Sequence, residues 1–257
     1  MCIRARGDSD RNPTGRGTGG SRSIPVGGVA IANASEKILE KAREQAAEML
    51  EAAAADIEVS HGRFTIAGTD RSITLVEIAQ ASQTETPFDE TAAFAPPAAT
   101  FPNGAHVCEV EIDPDTGVVE VVTYTVVDDF GTVLNPAMVA GQVYGGIAQG
   151  LGQALYERTV YEPESGQLLS GSFMDYAMPR ADNFPTIDFR YNEIPCTTNP
   201  MGIKGAGEAG CIGAPPAAIN AVIDDLSEYG VTHVDMPATP EVVWRLIHDR
   251  RPRMAAE

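Results

Sequence analysis

The sequence predicts an α+β fold, with hairpins and helices in mixed sheets. Two observations carry this reading. Alternating apolar stretches come in adjacent pairs joined by tight-turn residues, and the helical patterns stand between those pairs instead of following every strand. A third is that no repeat of fixed period runs through the 257 residues.

The elements follow in order. From Val29 to Ala55, apolar residues at Ile31, Ile38, Ala42, Ala46, Met49 and Leu50 alternate with Glu, Lys and Arg at helical spacing, giving an amphipathic helix. Asp56 to Ile66 places Ile57, Val59, Phe64 and Ile66 on either side of His61-Gly62, a hairpin signature. Thr74 and Glu77 have capping-box spacing and open a short helix through Ala81. From Ser82 to Asn103 the sequence turns to Thr, Pro and Ala without period, a long loop or a crossing to the second half.

Alternation returns over Ala105–Asp113, breaks at Pro114-Asp-Thr-Gly117 and continues over Val118–Val127, predicting two antiparallel strands. Asp128–Pro136 reads as a loop, and the uncharged run Ala137–Tyr156 as a buried helix. Strand-like pieces lie near Glu157–Tyr161 and Thr186–Glu193. Helices are predicted over Ala217–Tyr229 and Pro240–Asp249.

Charge narrows the function. A net charge of −18 excludes a nucleic-acid surface, which needs a basic face. Cys2, Cys108, Cys196 and Cys211 show no paired spacing, so neither a zinc site nor a disulfide framework is expected, and a reducing compartment fits. No apolar run approaches the ~18 residues of a membrane span, and the first residues lack a signal-peptide centre. The chain reads as soluble and cytoplasmic. Arg4, Arg6, Arg11, Arg16 and Arg22 make the first 22 residues locally basic, either as a solvated tail or as an anion-facing loop.

The stretch Gly202-Ile-Lys-Gly-Ala-Gly-Glu-Ala-Gly210 sets one carboxylate, Glu208, among glycines. By letter, Gly205-Ala-Gly207-Glu-Ala-Gly210 matches a dinucleotide fingerprint, but Pro195 to Pro200 precedes it where a strand is required, and Glu208 would stand beside a pyrophosphate. That reading fails. Two others remain open for Glu208: a general base whose pKa partial burial would raise, or an exposed acid at a helix start. Gln142, Gln149 and Gln153 share one helical face of the uncharged run, and amides buried there need partners. For Gln149 and Gln153 these are neighbouring backbone or helices; for Gln142, flanked by glycine, a ligand is the alternative.

Several stretches in this order resemble one family. Gly7-Asp-Ser-Asp10, Gly17-Thr-Gly-Gly-Ser-Arg-Ser23, Asp128–Pro136, Gly141–Gly150, Tyr176-Ala-Met-Pro179 and Lys204–Gly210 together resemble the molybdenum-binding large subunit of xanthine dehydrogenases, aldehyde oxidases and aerobic carbon monoxide dehydrogenases. The resemblance implies the second half of their molybdopterin-binding domain, with residues 1–101 as a first segment and 102–257 as a C-terminal segment carrying the glutamate loop. It implies a molybdopterin cytosine dinucleotide cofactor, its molybdenum held by the pterin and not by protein side chains. Gly20, Ser21, Arg22, Ser23, Gln142, Lys204, Gly205, Ala206 and Gly207 fall on cofactor contacts, with Lys204 supplying a cation, and Glu208 falls on the catalytic glutamate.

The implied activity is oxidative hydroxylation of an aldehyde or N-heterocycle with water-derived oxygen, electrons leaving to Fe–S and FAD partner subunits. A carbon monoxide dehydrogenase large chain and a non-catalytic remnant or assembly module are the alternatives. Family large subunits are much longer, so the chain is expected to be a fragment working with a missing N-terminal portion.

Overall fold

The computed structural model describes residue 10 and residues 17–82 and 87–250, the last of these by its backbone alone. Arg4, Arg6, Arg11, Arg16, Cys2 and the start of the Gly7–Asp10 stretch lie outside the described residues. The chain divides into two units, one of residues 23–98 and one formed by the chain up to Arg22 together with residues 99–257. The loop up to Arg22 groups with the C-terminal unit.

In the 23–98 unit, a π-helical stretch Ser23–Gly28 leads into α1 (Val29–Leu50). Beyond it, β1 (Ile57–Ser60) and β2 (Arg63–Ile66) pair antiparallel around His61 (φ 49°) and Gly62 (φ 74°), the left-handed pair that a two-residue hairpin turn demands. A third strand, β3 (Ser72–Thr74), adds to β2. At three residues it is too short to show a period, and only the helix cap was expected there. That cap is present. The Glu77 N–H donates to Thr74 Oγ1 and the Thr74 N–H donates to Glu77 Oε2, opening α2 (Leu75–Ala81). Ala42, Ala46, Leu50, Ile57, Phe64 and Ile78 form this unit's core.

The other unit holds β4 (Asn103–Ile112), β5 (Val119–Asp129), α3 (Pro136–Leu155), β6 (Ile187–Asn192), α4 (Ala209–Asp225) and α5 (Pro240–Arg250). Its sheet order is β4-β5-β6: β4 and β5 form the expected hairpin, whereas β6 runs parallel to β5. A parallel neighbour requires a crossover, which α3 and the chain after it supply. The sheet is therefore mixed. The stretch near Glu157–Tyr161 is not a strand and forms one bridge, Tyr161 to Leu168.

Two helix expectations change. Helix α4 starts at Ala209, eight residues before the expected Ala217, and carries Pro215 and Pro216 inside it. Each proline removes a helical donor, but the helix is held by its packing on α3. A Cβ on Gly146 would lie 2.8 Å from Cys211 N, and one on Gly210 would lie 2.3 Å from Val143 O, so the two backbones approach as only glycine permits. Helix α3 is buried on one face only, through Val143, Ile147, Leu151, Ala154 and Leu155. Gln142, Gln149 and Gln153 lie on its exposed face, so the buried amides expected from the uncharged sequence do not occur.

Beneath α4, Tyr124 is fully buried and its hydroxyl lies 2.8 Å from His106 Nδ1. His106 Nε2 in turn is 3.7 Å from Asp128 Oδ1, and Asp128 Oδ2 has no partner among the described residues. Burial pushes the Tyr124 hydroxyl well above the ordinary tyrosine range.

Candidate functional site

Strand β5 ends in two acids, and the pleat sends successive side chains to opposite faces. Asp128 meets His106, while Asp129 meets the glycine loop. Asp129 Oδ1 accepts from the N–H groups of Gly131 (2.8 Å) and Ile194 (3.1 Å), and Oδ2 accepts from Lys204 Nζ (2.5 Å). Both side chains are nearly buried, Lys204 at 11% exposure and Asp129 at 7%. Burial pushes the Asp129 carboxyl up, but the hydrogen bonds from Lys204, Gly131 and Ile194 outweigh it and hold the carboxyl below its ordinary range. The cation that the sequence reading assigned to a cofactor is thus directed at Asp129.

The same loop is pinned through its main chain. Gly202 O accepts from Thr132 N and Cys196 N, each at 2.9 Å, and Lys204 N donates to Phe130 O at 2.9 Å. Asn199 holds both main-chain groups of Ile203, with Nδ2 donating to its carbonyl and Oδ1 accepting from its N–H. At Gly131 (φ 62°) a Cβ would lie 2.1 Å from Gly202 O, so this approach admits no side chain.

From Lys204 the chain passes through Gly205, Ala206 and Gly207 to Glu208, the N-cap residue of α4. Glu208 is exposed and does not cap its own helix. Instead its Oε2 accepts from Ser21 Oγ at 2.7 Å. Of the two settings open to it from the sequence, the carboxylate takes that of an exposed acid at a helix start. Ser21 takes a positive φ of 53° after Gly20 at 62°, a turn that brings it over the glycine loop. A Cβ on Gly205 would lie 2.1 Å from Ser21 O, whereas one on Gly207 would lie 3.3 Å from Ser21 Oγ and 3.7 Å from Gln142 Oε1. Ser21, Gln142, Gly207 and Glu208 therefore converge at the start of α4.

Of the remaining residues singled out by sequence, Gly20 and Arg22 are exposed on the same loop, Arg22 donating to Gly17 O at 3.4 Å. Ala206 lies within the glycine loop, and Gly205 N donates to Thr100 Oγ1 at 3.4 Å. Ser23 belongs to the other unit, where it opens the π-helical stretch. Sequence reasoning gave no separate role to Asp129, Asn199 or Thr100. For Asp129 a signal existed: two adjacent acids closing an apolar strand are costly there without partners.

Among the described residues no group of three or more His, Cys, Asp or Glu could hold a metal ion, and no helix is long and apolar enough to cross a membrane. Cys108, Cys196 and Cys211 are free thiols.

The family model for a molybdopterin cofactor-binding domain matches residues 3–185. The chain is 39% identical over 246 residues to the gamma subunit of the 6-hydroxypseudooxynicotine dehydrogenase complex of Paenarthrobacter nicotinovorans, covering 92% of this chain and 31% of that protein. Among solved structures it resembles a reconstituted CO dehydrogenase from Oligotropha carboxidovorans, with a TM-score of 0.82 and 35% identity over 94% of this chain and 31% of the other. Quinoline 2-oxidoreductase from Pseudomonas putida 86 matches with a TM-score of 0.79 and 36% identity, covering 92% of this chain and 31% of that one. The chain spans about a third of the length of these relatives. Matched by that family model over residues 3–185 and by these solved structures over more than nine tenths of its length, the chain belongs to the molybdopterin cofactor-binding domain family, as a large-subunit domain related to xanthine dehydrogenase, aldehyde oxidase and carbon monoxide dehydrogenase.

Proposed function

We propose that the chain is the C-terminal part of a molybdenum hydroxylase large subunit, and that the whole enzyme oxidatively hydroxylates an aldehyde or an N-heterocycle. The observation that carries this is the Ser21–Glu208 hydrogen bond, which joins two stretches 187 positions apart into one polar cluster with Gln142 and Gly207. The cluster suits a ligand rich in heteroatoms and phosphate. The first turn of α4 has no side-chain cap, the Gln142 amide is exposed beside it, and small residues leave the main chain approachable.

Molybdopterin cytosine dinucleotide would be held by Gly20, Ser21, Arg22 and Gln142 and by the main chain from Lys204 through Gly205, Ala206 and Gly207. When bound, that group supplies a two-electron acceptor and the site at which water-derived oxygen is activated. Glu208 is the general base. Ser21 engages Oε2 and fixes the carboxylate's orientation, leaving Oε1 to receive the proton released as oxygen adds to the substrate. Electrons would leave through an Fe–S subunit to an FAD subunit of a cytoplasmic complex, and the large subunit's N-terminal portion would complete the substrate pocket.

Relatives acting on a nicotine derivative, quinoline and carbon monoxide match at similar identity, so the test spans an aldehyde, an N-heterocycle and carbon monoxide. The complete complex is purified and assayed with benzaldehyde, quinoline and carbon monoxide against a dye acceptor. Glu208→Gln is expected to lower turnover by roughly 10²-fold to 10⁴-fold, the usual range for a general base, with molybdenum content unchanged. Full turnover in that variant removes Glu208 from the base role. A folded complex without molybdenum supports the assembly-module reading instead.

A further inference from the structure

A general base must be held to within a fraction of an ångström, yet Glu208 is exposed and is preceded by Gly205-Ala-Gly207, a tripeptide with little stiffness of its own. Its geometry depends on the two points between which that tripeptide is strung. Downstream, α4 begins immediately and is seated on α3 through Gly210. Upstream, the fixed point is Lys204, whose N–H is bonded to Phe130 and whose ammonium is bonded to Asp129.

Asp129 is the hub of that anchor. Its two carboxylate oxygens receive three donors from three places in the chain: the turn after β5 at Gly131, the segment after β6 at Ile194, and the glycine loop at Lys204. A buried ion pair of this kind adds little net stability over an apolar pair, but it fixes relative geometry sharply. Removing either partner leaves a desolvated charge that pulls the chain toward water.

We infer that Asp129, acting through Lys204, is a positioning residue for Glu208, setting where the carboxylate stands by fixing the upstream end of the Gly205–Gly207 bridge. The inference rests on the reading of Glu208 as the base. It assigns Lys204 a role inside the protein, distinct from contributing its charge to a bound anion. If the charge served a ligand, its loss would weaken ligand retention. If it serves Asp129, its loss displaces the base and leaves the ligand in place.

The test uses the complete complex, with Asp129→Asn, Lys204→Met, Lys204→Arg and Glu208→Gln. The activity probe is whichever of benzaldehyde, quinoline and carbon monoxide the wild type oxidises, and amide hydrogen exchange is read independently of any substrate. Asp129→Asn and Lys204→Met are expected to lower kcat roughly tenfold to a hundredfold, the usual result of an ångström-scale displacement, with KM and molybdenum content little changed. Lys204→Arg, which keeps the charge pair, is expected to recover most of kcat. Exchange in peptides spanning 201–208 should rise about tenfold in Asp129→Asn and Lys204→Met, with α3 and the β4–β5 hairpin unchanged.

Glu208→Gln should lower turnover by roughly 10²-fold to 10⁴-fold while leaving exchange at 201–208 as in wild type, which separates loss of the base from loss of its anchor. Unchanged exchange at 201–208 in Asp129→Asn and Lys204→Met overturns the inference. So does wild-type kcat in both, or loss of molybdenum in Lys204→Met with kcat per molybdenum preserved. If Asp129→Asn fails to fold, the two Lys204 variants decide the matter alone. Turnover retained by Glu208→Gln defeats the underlying reading instead.

Discussion

The Ser21 hydroxyl donates to Glu208 Oε2 at 2.7 Å, so the carboxylate that begins α4 is oriented by the loop at the other end of the sequence and not by its own helix. Substituting Ser21 by Ala removes one hydrogen bond to a charged but exposed acceptor. The expected loss is about threefold to tenfold in kcat of the complete enzyme, with the fold intact. Steady-state kinetics beside a circular-dichroism melt checks this, and an unchanged kcat would show that the contact does not orient the base.

Asp129 gives a pH prediction with a definite sign. Its carboxyl is held below the ordinary range in the folded state, so its contribution to stability is present above the unfolded value and is lost as pH falls through the folded one. The gap in Tm between wild type and Asp129→Asn should be widest near pH 6 and should close as pH drops below about 4, where an unfolded carboxylate begins to protonate. Melts from pH 3 to 7 measure it. A gap independent of pH would assign the effect to packing.

Two glycines two positions apart in the same loop should differ in their tolerance of a side chain. Gly205→Ala would press a Cβ to 2.1 Å from Ser21 O, which is backbone, whereas Gly207→Ala meets Ser21 Oγ at 3.3 Å, a rotatable hydroxyl. The first is expected to cost about 1–3 kcal/mol, as overpacking does, or to displace the Ser21 loop. The second should cost well under half of that. Urea denaturation of the two variants side by side makes the comparison.

Tyr124→Phe removes the hydroxyl that partners His106 Nδ1 in the interior and leaves that ring nitrogen without it. The expected destabilisation is about 1–3 kcal/mol, that of a buried polar group deprived of its partner. It should appear in chemical denaturation with an unchanged m-value.

Legibility of the fold followed the range of the forces involved. The β1–β2 hairpin and the Thr74–Glu77 cap were readable because each is decided within a few residues. The start of α4 was not, because Pro215 and Pro216 signal a helix beginning locally, and only contact between Gly146, Gly150 and the far helix extends it back to Ala209. The uncharged run of α3 predicts burial all round, but a glutamine amide is well solvated in water, and the face carrying Gln142, Gln149 and Gln153 is exposed. At the site, the order of the motifs pointed to Ser21, Gln142 and Glu208, which the fold brings together. The Asp129–Lys204 pair spans 75 positions, and no local pattern says which buried acid a given lysine will meet.

The division of the chain bears on how it is made. The unit that contains Ser21 is interrupted after Arg22 and resumes only at residue 99, with a whole second unit threaded between. Ser21 leaves the ribosome 187 residues before Glu208. At synthesis rates of about 5–20 residues per second, that is a wait of roughly ten to forty seconds. Throughout that interval the nascent Ser21 loop has no carboxylate to receive its hydroxyl, so this end of the site is completed late, whatever folds first.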